Sequence, residues 1–231
     1  MKGLLLRVGI DTGAGGTLGP IFDDGSFEFV PIPERYPQQG ANTYKNVVGR
    51  HGYPLSTYVP KTLENTAMHF DPEFDTYTYG DPTVIKRRSL LKLQPDDLLV
   101  FYAGLQPFNT NRYQTALYII GYFTIQKVVD FNRLSQSDIE EYRHLYANNA
   151  HIKRGSPFFD LVIVAGDIQN SELLKKAILL SQKKPDRRDR PTYAVSDEME
   201  QLLGVTGFIQ RSAPRTIEEG YINNLRNIFK H

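Results

Sequence analysis

The sequence predicts an α+β fold, with a mixed, largely antiparallel and potentially barrel-like sheet and peripheral helices. Three observations lead there. Apolar runs of strand length recur from Leu4 to Ala165, hairpin-length turns link consecutive runs, and the regular strand–helix–strand alternation of parallel α/β proteins is missing. The 231 residues are expected to form one domain, with a long irregular insertion at about 34–82 and a helical C-terminal part at about 167–231.

Leu4–Ile10 reads as a buried strand that runs into the glycine-rich stretch from Asp11 to Pro20. Ile21-Phe22 and Phe27–Val30 flank Asp23-Asp24-Gly25-Ser26, a hairpin signal because glycine takes positive φ without steric cost. Pro31-Ile32-Pro33 then stops the second strand, since proline offers no N–H to a ladder. From Glu34 to Pro82 the periodicity fades into Tyr, Pro, Asn and Gly, with short helical pieces expected near Thr62–His69. Irregular segments of that length are usually functional, so a site invisible to motif reading belongs there first.

Asp97–Gly104 is the next buried strand, introduced by a turn at Pro95-Asp96, and Ala116–Phe131 reads as a long strand bent at Gly121. Ser137-Asp-Ile-Glu140 matches a capping box and starts a helix over about 138–148. Phe158–Ala165 is a further strand. Ser171–Gln182 is expected to be helical, with Leu173, Leu174, Ala177 and Ile178 on one face. Lys183–Arg190 is a charged loop, and Thr216-Ile-Glu-Glu219 opens a last helix that runs toward Phe229.

With 27 Lys and Arg against 26 Asp and Glu, no global field draws the protein to a polyanion, so any such contact must be local. The absence of cysteine excludes disulfides, thiolate catalysis and thiolate metal sites. No apolar stretch approaches the roughly 20 residues of a membrane helix, and the charged start is too short for a signal peptide. A cytoplasmic location and no membrane partner are therefore expected.

The densest candidate site runs from Arg7 through Gly16. Residues four apart on a strand share a face, which puts Arg7 beside Asp11. Backbone N–H groups of Gly13, Gly15 and Gly16 can line an anion-binding concavity, and Arg7 adds a planar fork suited to phosphate. The stretch lacks the Lys-Ser/Thr pair of a nucleotide hydrolase loop. The plainer reading is a tight turn closed by a structural Arg7–Asp11 ion pair.

His151, followed by Lys153 and Arg154, can meet a phosphate or act as a base. Tyr102 and Tyr122 are the candidate base-stacking platforms among many tyrosines. The histidines form no short-spaced pair, and Asp71, Glu73 and Asp75 read as a solvated edge, so neither a metal site nor a cofactor is expected. The basic stretch Lys183–Arg190 is interrupted by Asp186 and Asp189 and reads as solvated surface.

The opening segment, Leu6-Arg7-Val8-Gly9-Ile10-Asp11, Gly16, Gly19-Pro20-Ile21, Asp24-Gly25 and Pro31-Ile32-Pro33-Glu34, resembles the nucleotide-modification-associated domain family, third of its series. Weaker echoes lie at 97–104, 119–122 and 148–151. Val8, Leu6 and Gly19 depart from the family's usual Lys and Ser residues. The resemblance implies association with base- or nucleotide-modifying systems and adds weight to Arg7, Asp11, Gly16 and Asp24.

Three functions remain open at this point. The first is recognition of a nucleotide or of a modified base in nucleic acid, and it is the preferred one. The second is an enzyme acting on a nucleobase, nucleotide or attached sugar, with Asp11 as acid/base or nucleophile. The third is a structural or assembly subunit beside partner modification enzymes. The sequence leaves the oligomeric state open.

Overall fold

The computed structural model describes residues 1–155, 157–210 and 213–230. Twelve strands and five α-helices follow one another along these residues. They are β1 (Gly3–Arg7), β2 (Gly19–Ile21), β3 (Ile32–Pro33), β4 (Met68–His69), β5 (Thr78–Asp81), α1 (Val84–Leu90), β6 (Leu98–Pro107) and β7 (Ala116–Asp130). Then come α2 (Gln136–Leu145), α3 (Ala150–Lys153), β8 (Val162–Gly166), β9 (Glu172–Leu179), β10 (Ser181–Pro185), β11 (Pro191–Val195), α4 (Asp197–Leu203), β12 (Arg215–Ile217) and α5 (Ile222–Ile228).

The α+β class holds: one eight-stranded sheet runs in the order β12-β1-β6-β7-β8-β5, with β2 added beside β6 and β9 beside β7. Most pairings are antiparallel, while β1 and β2 each lie parallel to β6. The sheet does not close into a barrel, which corrects the barrel-like expectation. Two short ribbons, β10-β11 and β3-β4, stand apart from it.

The 15-residue β7 is the axis of the sheet, pairing with β6 along its first part and with β9 and β8 at successive stretches of its other edge. It bends where expected: its register with β9 shifts between Ile119 and Gly121. A Cβ at Gly121 would meet the Glu172 carbonyl at 2.7 Å and the Phe74 ring at 2.9 Å, so only glycine lets the neighbouring strand approach. The largest core cluster, with Leu5, Leu6, Leu99, Phe101, Ile119 and Phe123, packs on the sheet around this axis. Truncating such a buried leucine to alanine costs about 2–5 kcal/mol.

The Asp24-Gly25 turn forms with Gly25 at φ +85°, but its arms meet only through an Ile21–Phe27 bridge. The first capping box sits two residues earlier than expected, at Ser135 and Asp138. Around 34–82 the chain forms two 3-10 turns, Leu55–Tyr58 and Lys61–Leu63, beside the β3-β4 ribbon.

The C-terminal part corrects the helical expectation. Residues 171–182 are β9 and the start of β10, because the exposed edge of β7 needs a partner and that tertiary demand overrides a weak 3.6-residue apolar pattern. The charged stretch 183–190 extends β10 into a turn that returns as β11. Thr216 and Ile217 join β12 alongside β1, so the last α-helix starts only at Ile222. No helix among the described residues is long and apolar enough to cross a membrane.

Candidate functional site

Beyond the carboxyl end of β1, a cleft of about 440 Å³ opens between the β3-β4 ribbon, β5, α1 and α3. That volume lies in the range of small-molecule sites. Each element contributes a charged or polar side chain. β1 ends on Arg7, β3 leads into Glu34 behind the wall and Arg35 on it, β4 ends on His69 with Asp71 two residues on, and β5 carries Tyr79 and Asp81. Lys86 comes from α1, His151 from α3 and Arg154 from just after α3.

The short helix α3 is fixed on β5 by its own cap. Asn149 accepts a hydrogen bond from the His151 amide and donates one to Thr78 Oγ1. A Cβ at Gly80 would lie 2.8 Å from His151 Cδ2 and 3.1 Å from Asn149 Oδ1, so the glycine is what allows the imidazole to lie against the strand. The Gly80 amide in turn donates to Asp71 Oδ1 at 2.9 Å.

Asp71 Oδ2 then faces two imidazoles, His151 Nε2 at 3.4 Å and His69 Nε2 at 4.0 Å. The two rings are nearly perpendicular, with centroids 4.7 Å apart. Only 5% of the Asp71 side chain is exposed, and no Lys or Arg among the described residues pairs with it.

Glu34 organises the opposite wall. Its carboxylate accepts from His69 Nδ1 at 2.7 Å, from Arg154 Nη2 at 2.8 Å and Nε at 3.0 Å, and from the Tyr36 amide at 2.8 Å. Burial alone would raise its pKa, but the hydrogen bonds from Arg154, Tyr36 and His69 outweigh burial and hold it at about 2. An ionised carboxylate only accepts, so the His69 proton sits on Nδ1 and the Nε2 lone pair faces Asp71. Burial, helped by the positive charge of Arg154, pushes the His69 pKa down despite the opposing pull of Asp71.

On the third side, Lys86 reaches Asp81 at 2.9 Å and the Tyr79 hydroxyl at 3.2 Å. Burial, reinforced by the Asp81 and Asp71 charges, raises the Tyr79 phenol far above its ordinary value and keeps it a neutral donor. Arg7 meets Asp11 at only 3.4 Å, and its Nη1 is buried without a hydrogen bond to any described residue. Arg35 and the 67%-exposed ring of Tyr36 stand at the rim, with the Arg154 guanidinium 5.6 Å from that ring.

Four residues marked by the sequence, Arg7, Asp11, His151 and Arg154, therefore meet in one cleft. The others do not. Gly13 and Ala14 donate their amides to Asp11 Oδ1, both at 2.7 Å, and Gly16 donates to the Asp11 carbonyl, so the glycine loop encloses its own carboxylate. Gly15 packs on the Ile10 side chain.

Asp24 caps the hairpin through the Ser26 amide and hydroxyl, and chiefly that hydroxyl bond lowers its pKa. Tyr102 is buried with its hydroxyl on the Ile209 carbonyl, and Tyr122 stacks on Phe229 at 4.1 Å. Burial corrects the stacking assignment of Tyr102, and Phe229 takes one face of the half-buried Tyr122.

Glu34 and Asp81 escaped the sequence reading, His69 was dismissed for want of a short-spaced partner, and the burial of Asp71 and Glu73 corrects their reading as a solvated edge. His69-x-Asp71 is the signal that was there: a three-residue turn, closed by the Asp71 amide on the His69 carbonyl at 2.9 Å, carries both side chains into the cleft. Away from the cleft, His51 joins buried Glu28 at 2.7 Å and Ser26 Oγ at 2.8 Å. The order is serine–histidine–carboxylate, but Ser26 donates its hydroxyl proton to Asp24, and the group ties the hairpin to the loop at 49–53.

A family model, nucleotide modification associated domain 3, matches residues 2–208. The chain belongs to that family. The match spans every residue of the cleft, whereas β12 and α5 lie beyond it. The family description associates the domain with nucleotide modification. Comparison with curated proteins and with solved structures gives no match.

Proposed function

We propose that the cleft recognises a nucleotide, either free or as a unit of nucleic acid, in the service of a modification system. The observation that carries this reading is Arg7: its guanidinium lines the cleft and meets Asp11 only at 3.4 Å, so it retains donors for an anion. Lys86 and Arg35 add cationic donors along the same wall. The exposed Tyr36 ring, with Arg154 beside it, supplies an aromatic face at the rim on which a base can stack.

Catalysis is the second reading, and one observation favours it. His69, Asp71 and His151 converge in the cleft, a better acid–base constellation than Asp11, whose Oδ1 is held by two amides. Calorimetry and thermal shift against nucleoside mono-, di- and triphosphates, and plain and modified oligonucleotides, test the proposal. A nucleotide should bind wild type, and Arg7→Ala should weaken it about 10-fold or more, since hydrogen bonds from a charged group contribute about 1.5–3 kcal/mol. No binding across the panel overturns recognition and leaves the assembly role. Turnover lost in His151→Ala but kept in Asp11→Asn would establish catalysis by the cluster.

A further inference from the structure

We propose that His69 Nε2, Asp71 Oδ2 and His151 Nε2 hold one divalent transition-metal ion in the cleft. The inference deepens the cleft reading and rests on it only for what the ion's open side faces. The three residues each present a ligand atom, all within 4.8 Å of one another. Ligands about 2.1 Å from a tetrahedral ion lie about 3.4 Å apart. The 3.4 Å contact from Asp71 Oδ2 to His151 Nε2 matches that spacing, the 4.0 Å contact to His69 Nε2 exceeds it and must shorten when an ion binds, and both are long for hydrogen bonds.

Charge leads to the same place. Asp71 is a buried carboxylate whose only neutralising neighbours among the described residues are one amide and two imidazoles, while Asp11, Glu34 and Asp81 each have a Lys or Arg. A buried anion without a cation is costly, and a divalent ion at this point removes the cost. The Gly80 amide on Oδ1 turns Oδ2 toward the imidazoles. Glu34 on His69 Nδ1 orients that ring with Nε2 inward, the carboxylate–histidine arrangement that metal-binding histidines use, so Glu34 is a positioning residue.

Ligation by His151 Nε2 places its ring proton on Nδ1, facing Arg154 Nη1 at 3.3 Å. Arg154 keeps its three bonds to Glu34 when that weakest contact opens. Two nitrogens and one oxygen select an ion of the zinc or ferrous-iron class over magnesium. With three protein ligands, one or more coordination positions remain for water or for a group of the bound nucleotide.

The test uses the full chain without nucleotide, so that failure of the metal site and failure of nucleotide recognition are read separately. Zn²⁺, anaerobic Fe²⁺ and Mg²⁺ are titrated by calorimetry and retained metal is counted after desalting. One Zn²⁺ or Fe²⁺ per chain is expected, with affinity lowered at least 100-fold in His69→Ala and in His151→Ala while circular dichroism is unchanged.

Because either variant can disturb the fold, a second readout uses wild type: Zn²⁺ should shift the Nε2 resonances of two histidines, His69 and His151, and leave those of His51 and His144 in place. Absence of stoichiometric binding, a preference for Mg²⁺, unchanged affinity in folded variants, or shifts at other histidines would each overturn the proposal.

Discussion

The glycine loop at 11–16 and the cleft wall built from Glu34, His69, Asp71 and His151 carry similar polar chemistry, yet they end in opposite states. In the loop, donors and acceptor are sequence neighbours, and the chain closes them on each other: two amides fill Asp11 Oδ1. In the cleft, the groups arrive from separate elements, His151 from 82 residues beyond His69, and although Glu34 is matched, Asp71 and the two imidazole Nε2 atoms that face it stay incompletely matched. Local polar groups satisfy themselves during folding as Asx turns do. Groups brought together by tertiary structure are left with unfilled valence, which a ligand can fill.

The strongest way to break this contrast is through Glu34, which holds the wall together. Its folded pKa of about 2 lies below the ordinary 4.5, so its contribution is fully present above pH 4.5 and is lost as pH falls through 2. With the side chain only 8% exposed, the shift corresponds to about 3 kcal/mol. Denaturant unfolding from pH 6 to pH 2 should show that loss in wild type and a flatter profile in Glu34→Gln. Equal profiles would remove Glu34 from the account.

Gly80→Ala is next. The new methyl would press on His151 and Asn149, and overpacking of this kind costs about 1–3 kcal/mol. A lowered midpoint in urea, together with weakened Zn²⁺ binding, is expected; unchanged stability and metal affinity would show that α3 does not depend on this contact. Arg7→Ala should follow, with its roughly 10-fold loss of nucleotide affinity.

Asp24→Ala should have the smallest effect. It removes an exposed turn cap, so stability should fall only slightly and ligand affinity should not change, as titration of the variant would record. A loss of binding in this variant would return the site to the hairpin.

The framework of the sheet was legible because its central strands are continuous apolar runs. β1, β6 and the bent β7 needed no outside information, and Gly121 marked the bend. β9 was not legible, since Leu173, Leu174, Ala177 and Ile178 fit a helical face, and only the unpaired edge of β7 decides for a strand. Within the site, Arg7 and Asp11 were expected to meet as one strand face. They do meet, but β1 ends at Arg7 and the chain turns at Gly9 (φ +76°), so a turn and not the strand repeat brings them together, while His151 and Arg154 were visible as a basic cluster. Glu34, His69 and Asp71 lie in a segment without periodicity, and no local spacing encodes a partner on α3. The expectation that a missed site would fall between Glu34 and Pro82 came from the length of that segment.

On the proposed function, the assembled cleft, and not the glycine loop, receives the ligand. Amide chemical shifts during titration with the panel's nucleotides test it most directly. The account predicts perturbation at Gly9, Tyr36, Gly80 and His151, with 24–26 and the loop at 13–16 unaffected. Perturbation confined to 13–16 or to 24–26, or none with any nucleotide, would contradict it.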